Sequence, residues 1–471
     1  MKRLILLFLY LGFCFTVASQ DITGQWKGDL EVFGSKLPLV FHISNSDDGY
    51  SATMDSPAQQ AFDIPIDQIS FENHRLLVII TALNAEYSGK LEEDEFSGEF
   101  QQNNMKFPLD LTRQESTISD RNNKNSSAKR YQEPQKPYPY ITEEVYFKNE
   151  EQNIELAGTL SLPEKKGKFP AVILITGSGP QNRDEEIMGH KPFLVISDYL
   201  TRQGIAVLRY DDRGVGQSGG RFLGSTTQDF STDALAAFDF LKDHKEIDSQ
   251  KIGLLGHSEG GLVAIMSAAA NEDIAFIILL ASPGVDGGNL LLKQQEKIGM
   301  ASGVSEDYLK INKKINEQAY EIIRQEKDSV NLRNRLQNYF EKALRDNPEW
   351  NSARNQGIED AAFIQSLLNI YSDRWMRFYI GYDPDEDLKK ISCPVIALNG
   401  SKDLQVDARQ NLSALKEALE NSNKKNFFAE LKDLNHLFQE SSTGLPAEYG
   451  TIEQTISPVV LELLKEKIHS L

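Results

Sequence analysis

Cysteine is nearly absent: Cys14 and Cys393 are the only two in 471 residues. Two thiols cannot build a disulfide framework or a cysteine-rich zinc site. Positive charge is also short. Lys and Arg number 50 against 69 Asp and Glu, a net charge of −19. No cationic surplus exists to neutralise phosphates, so nucleic acid is excluded as an expected partner. The most apolar run, at the N-terminus, falls short of the roughly 20 residues of a spanning helix. No His-Glu-x-x-His or similar metal string occurs, and the Gly-Lys-Ser/Thr of a nucleotide loop is missing. No cofactor and no metal are expected. What remains is 40% hydrophobic and 25% charged, the composition of an ordinary soluble protein. At roughly 100–200 residues per domain, the length suggests two to four domains, or one large domain with attachments.

The first residues are Met1-Lys2-Arg3, then an apolar run from Leu4 to Val17, then Ala18-Ser19-Gln20. A charged start, a short apolar core and small residues are the parts of a secretory signal peptide, expected over 1–19 with cleavage near Ser19. The mature chain is then exported, periplasmic or secreted, with a net charge of −21 and no membrane span.

Three regions follow. From Asp21 to about Arg113, short runs with partial alternation, such as Lys36–Ile43, Arg75–Ile80 and Glu95–Phe100, are punctuated by Gly, Asn and Asp. This pattern predicts a small all-β barrel or sandwich over 21–113. From 114 to 140 apolar residues thin out and Pro134, Pro137 and Pro139 appear, which predicts an extended linker. From Ile141 onward, apolar runs alternate with helical patterns. Ala171–Ile175, Ile205–Tyr210, Lys251–Leu255, Ala275–Leu280, Val395–Leu398 and Phe427–Leu431 read as strands of a doubly wound, mostly parallel α/β sheet over 141–471. About a hundred residues, 286–390, break this rhythm with helical spacing and predict an inserted helical cap.

Gly256-His257-Ser258-Glu259-Gly260 stands directly after the strand Lys251–Leu255 and ahead of a helical stretch. Glycines flanking a serine there allow a tight turn that lifts the hydroxyl above the sheet, at the positive end of a helix. A serine needs a base before it can attack. Of seven histidines, His42 and His74 lie in the β region, and His257 sits inside the turn itself. His436 follows the last strand, at the sheet edge where open α/β sheets place their sites. The base in turn needs a carboxylate. Asp403, after the strand Val395–Leu398, is the first choice, with Asp407 and Asp286 as alternatives. The backbone N–H of Glu259 offers one oxyanion donor. The loop Thr176-Gly177-Ser178-Gly179-Pro180 offers the second at Ser178, with Gly179 in reserve. Arg183, Asp184, Asp211 and Arg213 are expected to form an ion-pair network beside the site, with substrate contact as the other possibility.

Residues 141–471 resemble the α/β-hydrolase superfamily. The resemblance rests on the order Ser258, Asp403, His436, on the turn at Ser258, on the insertion after the sixth core strand, and on Tyr210-Asp211-Asp212-Arg213-Gly214-Val215-Gly216-Gln217-Ser218. The string Gly177-Ser178-Gly179-Pro180-Gln181-Asn182-Arg183-Asp184 is similar to one in EstD-like carboxylesterases, which also carry an N-terminal β domain; Thr176 stands where that group usually has His. The resemblance implies hydrolysis of a small-molecule ester through an acyl-enzyme. Serine peptidases acting on short peptides share much of the pattern and supply the alternative.

Overall fold

The computed structural model describes residues 21–32, 35–46, 49–56, 61–80, 85–102, 105–114, 130–352, 360–420, 422–423 and 425–471. The expected signal peptide and most of the expected linker lie outside the described residues. Two compact units are present, residues 1–119 and 120–471.

The first unit is built of strands β1 (Gly24–Val32), β2 (Ser35–Ser46), β3 (Gly49–Ser56), β4 (Ala61–Pro65), β5 (Gln68–Glu72), β6 (Arg75–Ile80), β7 (Ala85–Glu92), β8 (Glu95–Gln102), β9 (Met105–Pro108) and β10 (Leu111–Gln114). They form one antiparallel sheet in the order β4-β3-β2-β1-β10-β8-β7-β6-β5, with β9 on β8. Strict alternation, clearest in β7, turns every second side chain inward. Trp26, Phe41, Tyr87 and Phe96 are fully buried there, and the Arg113 guanidinium lies 4.5 Å over the Trp26 ring.

The second unit carries strands β11 (Ile141–Asn149), β12 (Ile154–Leu162), β13 (Phe169–Ile175), β14 (Ala206–Tyr210), β15 (Ile247–His257), β16 (Phe276–Leu280), β17 (Val395–Gly400) and β18 (Phe427–Leu431). Their order is β11-β12-β14-β13-β15-β16-β17-β18. The first two are antiparallel, and β14 to β18 run parallel. Alternate residues of one strand serve two cores. Ala171, Ile173 and Ile175 face one layer with Phe238 and Val263. Val172 and Leu174 face the other, with Phe193 and Leu464. This is why the strands read as unbroken apolar runs. The covering helices are α1 (Pro192–Arg202), α2 (Thr227–Lys242) and α3 (Glu259–Ala270). Helix α2 starts on a capping box in which Thr226 and Asp229 satisfy each other's backbone N–H.

Between β16 and β17 lie the cap helices α4 (Gly287–Ala301), α5 (Glu306–Gln325), α6 (Ser329–Asp346), α7 (Pro348–Ser352), α8 (Asp360–Tyr371), α9 (Arg374–Gly381) and α10 (Asp385–Leu388). Helices α11 (Ala408–Ala418) and α12 (Pro458–His469) complete the unit. The cap has its own core, in which Trp350 and Tyr371 pack with Phe340 and Leu336.

The proline-bearing stretch from 130 to 140, read as linker, is fastened to the α/β unit. Arg130 donates to the Gly450 carbonyl at 2.7 Å and Gln132 to the Ile456 carbonyl at 2.8 Å. Gln132 also accepts from the Thr455 N–H at 2.6 Å. Polar side chains reaching carbonyls some 320 positions away leave no mark in composition.

Candidate active site

The sheet order reverses across β13 and β15, and the C-terminal ends of β13, β15, β17 and β18 converge there. Ser258 occupies the single residue between β15 and α3, with φ 53° and ψ −120°. That conformation is strained for any residue with a Cβ. It is enforced by packing. A Cβ at position 256 would lie 2.0 Å from the Gly260 carbonyl oxygen, and one at position 260 would lie 2.3 Å from the Ile175 carbonyl oxygen. Backbone cannot swing aside as a side chain can. Gly256→Ala should therefore cost at least roughly 3 kcal/mol, the top of the overpacking range, as read by urea unfolding; an unchanged midpoint would mean that the turn is not sterically locked.

Glu259 is the first residue of α3, so its N–H has no partner within the helix and points with the helix dipole. Its carboxyl is buried and accepts from Thr227 Oγ1 at 2.6 Å and from Trp375 Nε1 at 2.7 Å. Burial raises its pKa, opposed by the hydrogen bonds of Thr227, Trp375 and Ser178. Thus the residue after Ser258 ties the turn to the start of α2 and to cap helix α9. Trp375 also lines the cavity beside Ser258, and its indole N–H is spent on this anchor.

His436 Nδ1 lies 2.8 Å from Asp403 Oδ2. The other Asp403 oxygen accepts the N–H groups of Gln405 and Val406, each at 2.8 Å. Asn399 Nδ2 donates to Oδ2 at 3.1 Å. The carboxylate is thus held on both oxygens. The alternative carboxylates are used elsewhere. Asp286 caps α4 and pairs with Arg324 at 2.6 Å; Asp407 caps α11 and pairs with Lys297 at 2.7 Å.

Ser258, His436, Gly177 and Ser178 line one cavity of about 260 Å³. Its apolar wall is Ile187, Leu290, Leu291, Tyr379, Val406 and Leu437, and Gln181, Gln294 and Gln405 supply amides. Helices α4 and α9 therefore form part of the wall. Among the described residues the Ser258 hydroxyl makes no hydrogen bond, so the approach of Oγ to His436 Nε2 is open in this state.

The loop after β13 is set by Asp212. This buried carboxyl accepts from Thr176 Oγ1 at 2.7 Å and the Gln181 N–H at 2.9 Å, on either side of Ser178. Burial pushes its pKa well above the usual carboxylate range. The neighbouring charges are all matched. Arg183 forks onto Asp211 at 2.8 and 3.0 Å and reaches Glu144 at 2.6 Å. Arg213 forks onto Asp233 at 2.7 and 2.8 Å, and Arg209 pairs with Asp184. Each of these guanidinium groups has a carboxylate partner, while Arg209 Nε is buried without one among the described residues.

Two residues of this region escaped sequence reasoning. Glu185 Oε1 accepts the Gly177 N–H at 2.8 Å and lies 2.9 Å from His257 Nδ1. His257 Nε2 lies 3.0 Å from the His436 carbonyl oxygen. Burial pulls the His257 pKa down, but the charge and hydrogen bond of Glu185, the His436 carbonyl and the Asp403 charge together outweigh it, and the net shift is upward. No spacing rule joins positions 185 and 257; only the fold does. Among the described residues no three His, Cys, Asp or Glu side chains gather as a metal site, and no helix is long and apolar enough to cross a membrane.

Comparison with known proteins agrees with this architecture. A family profile described as serine aminopeptidase, S33, matches residues 192–333. Esterase EstD of Thermotoga maritima is 26% identical over 297 residues, covering 62% of this chain and 61% of that protein, so the match spans less than two thirds of EstD's length. The polyketide transferase claH of Penicillium crustosum is 31% identical over 110 residues, 21% of this chain and 34% of that one. The solved Pyrococcus furiosus esterase Pf2001 aligns with a TM-score of 0.40 and 18% identity over 70% of this chain and 93% of its own. With its sheet order, the strand–turn–helix at Ser258 and the inserted cap, the second unit has the α/β-hydrolase fold, and the chain is similar to esterase EstD.

Proposed function

We propose that the chain is an exported serine hydrolase that cleaves carboxylic esters through an acyl-enzyme. The observation that carries this reading is the shared cavity: Ser258 on its strained turn and His436, whose far nitrogen is held by Asp403, line the same wall. Substrate entering the cavity brings the ester carbonyl against Ser258. His436 Nε2 takes the hydroxyl proton as Oγ attacks the carbonyl carbon. The Glu259 N–H and the Ser178 N–H receive the negative charge that develops on the carbonyl oxygen. The proton then passes to the departing alcohol, leaving Ser258 acylated. Water, deprotonated by the same imidazole, releases the acid. Apo geometry with an open serine–histidine contact is compatible with this sequence, since such contacts tighten once substrate is bound. The signal-peptide pattern expected over 1–19 supports placing the reaction outside the cytoplasm.

The similar proteins point two ways, to an aminopeptidase in the family description and to an esterase in EstD. The wall of the cavity supports the ester. An aminopeptidase must hold a free α-ammonium, which needs a carboxylate to spare. Among the described residues of the wall, Glu185 is the one carboxylate, and it is committed to His257 and the Gly177 N–H. An ammonium entering without a partner forfeits several kcal/mol. Hydrolysis of a short acyl p-nitrophenyl ester should therefore exceed that of an aminoacyl anilide by on the order of a hundredfold or more in kcat/KM. A faster anilide reaction would replace the esterase reading with the peptidase one.

A further inference from the structure

We propose that the buried Glu185–His257 pair is a positioning device that locks the oxyanion loop, the nucleophile turn and the general base into one geometry. The proposal rests on the serine-hydrolase reading above. The pair touches all three parts. Glu185 takes the N–H of Gly177, one peptide before Ser178. His257 is bonded in the chain to Ser258. Its Nε2 meets the carbonyl of His436 itself, and the two imidazole rings lie 4.8 Å apart. Both side chains are almost wholly shielded, at 4% and 9% exposure for Glu185 and His257. An ideal Cβ on Gly177 would lie 3.3 Å from Ser258 Cβ and 3.5 Å from both Glu185 Oε1 and His257 Nδ1, so the loop sits directly against the pair.

The proton inventory explains why the pair must be Glu and His. A carbonyl oxygen only accepts, so His257 Nε2 must carry a proton. Glu185 Oε1 already accepts the Gly177 N–H. All three bonds form together only when one further proton lies between Nδ1 and Oε1. A neutral amide at position 185 reproduces this only by leaving a buried imidazolium without its counter-charge. With a neutral imidazole, its oxygen would serve Gly177 but face a lone pair on Nδ1, or force the other tautomer and turn a lone pair on Nε2 toward the His436 carbonyl. Its NH₂ would oppose the Gly177 N–H. With a neutral ring, one of the three parts is released.

Glu185 and His257 are therefore not expected to touch substrate chemistry; they act through Ser178, Ser258 and His436. The test is steady-state kinetics on a short acyl ester with Glu185→Gln, His257→Gln and His257→Asn. Each preparation is titrated with a fluorophosphonate, so that rates are expressed per reactive serine. We expect kcat per titrated site to fall roughly ten- to hundredfold, the cost of sub-ångström misplacement of reacting groups, with KM within about twofold. The double variant Glu185→Gln/His257→Gln should lose no more than the worse single one, because the pair acts as a unit. A merely structural pair would lower the number of titratable sites and leave kcat per site unchanged, which would overturn the proposal. So would a fall confined to kcat/KM through KM. Ser258→Ala separates the two layers: activity in that variant sinks the serine-hydrolase reading, whereas an inactive Ser258→Ala beside fully active Glu185 and His257 variants sinks only the positioning role.

Discussion

Ser258→Ala should reduce ester turnover by roughly a thousandfold or more while leaving the unfolding midpoint in place. The two halves of this expectation have separate causes. Activity goes because Oγ is the proposed nucleophile, and the other hydroxyls of the cavity wall among the described residues, on Ser178 and Tyr379, are not on the strained turn. Stability stays because the hydroxyl makes no hydrogen bond among the described residues, and alanine keeps the Cβ that strains the turn. Ser258→Gly sharpens the argument. Glycine accepts φ 53° without steric cost, so this variant should be equally inactive yet more stable by about 1–3 kcal/mol. Calorimetry beside an ester assay reads both. An inactive alanine variant with a collapsed midpoint would make Ser258 a folding residue, and an active, well-folded one would remove it from the reaction.

Strain of this kind was legible in the sequence only through its consequences. Glycines at 256 and 260 around a serine, after an apolar run, announce a turn too tight for side chains, and the structure finds carbonyl oxygens where those side chains would be. The parallel sheet was equally readable, because a strand buried on both faces leaves an unbroken apolar run such as Ala171–Ile175. The positions of Asp403 and His436 followed from the same runs, as the first residues of their type beyond two strand ends. What escaped is what depends on distant chain segments meeting. No spacing sorts the cap aromatics: Trp350 and Tyr371 fill the cap's own core, Phe378 stacks on Tyr382, and Trp375 and Tyr379 line the cavity. The docking of residues 130–140 is carried by side chain to backbone bonds, which have no pattern. His257 looks idle in the sequence because it sits inside the turn itself; its bonds depend on Glu185, which arrives from another loop and looks like one more charge beside Arg183 and Asp184.

Asp403→Asn should abolish turnover almost as completely, by about three to four orders of magnitude, for a reason written in the hydrogen bonds around it. Asp403 Oδ1 accepts two backbone N–H groups, from Gln405 and Val406, while Oδ2 faces His436 Nδ1 and Asn399 Nδ2. Asparagine has one oxygen and one NH₂. Keeping the oxygen on the two fixed backbone donors is the lower-energy choice, since turning the NH₂ toward them would bury two opposed pairs of donors. The NH₂ then points at His436. Nδ1 must accept, the ring proton moves to Nε2, and the nitrogen facing Ser258 no longer has a lone pair to take the hydroxyl proton. The geometry survives and the chemistry does not. Substrate affinity should accordingly change little, with the loss falling on kcat. The same exchange at Asp286 or Asp407 keeps the helix cap, since Asn caps as well as Asp, and removes an ion pair instead, at a cost of no more than about 1 kcal/mol in stability, and should leave kcat within about twofold. Side-by-side kinetics of the three variants decide which carboxylate orients the base. Equal losses at Asp403 and Asp407 would mean that general electrostatics, rather than the tautomer of His436, governs the rate.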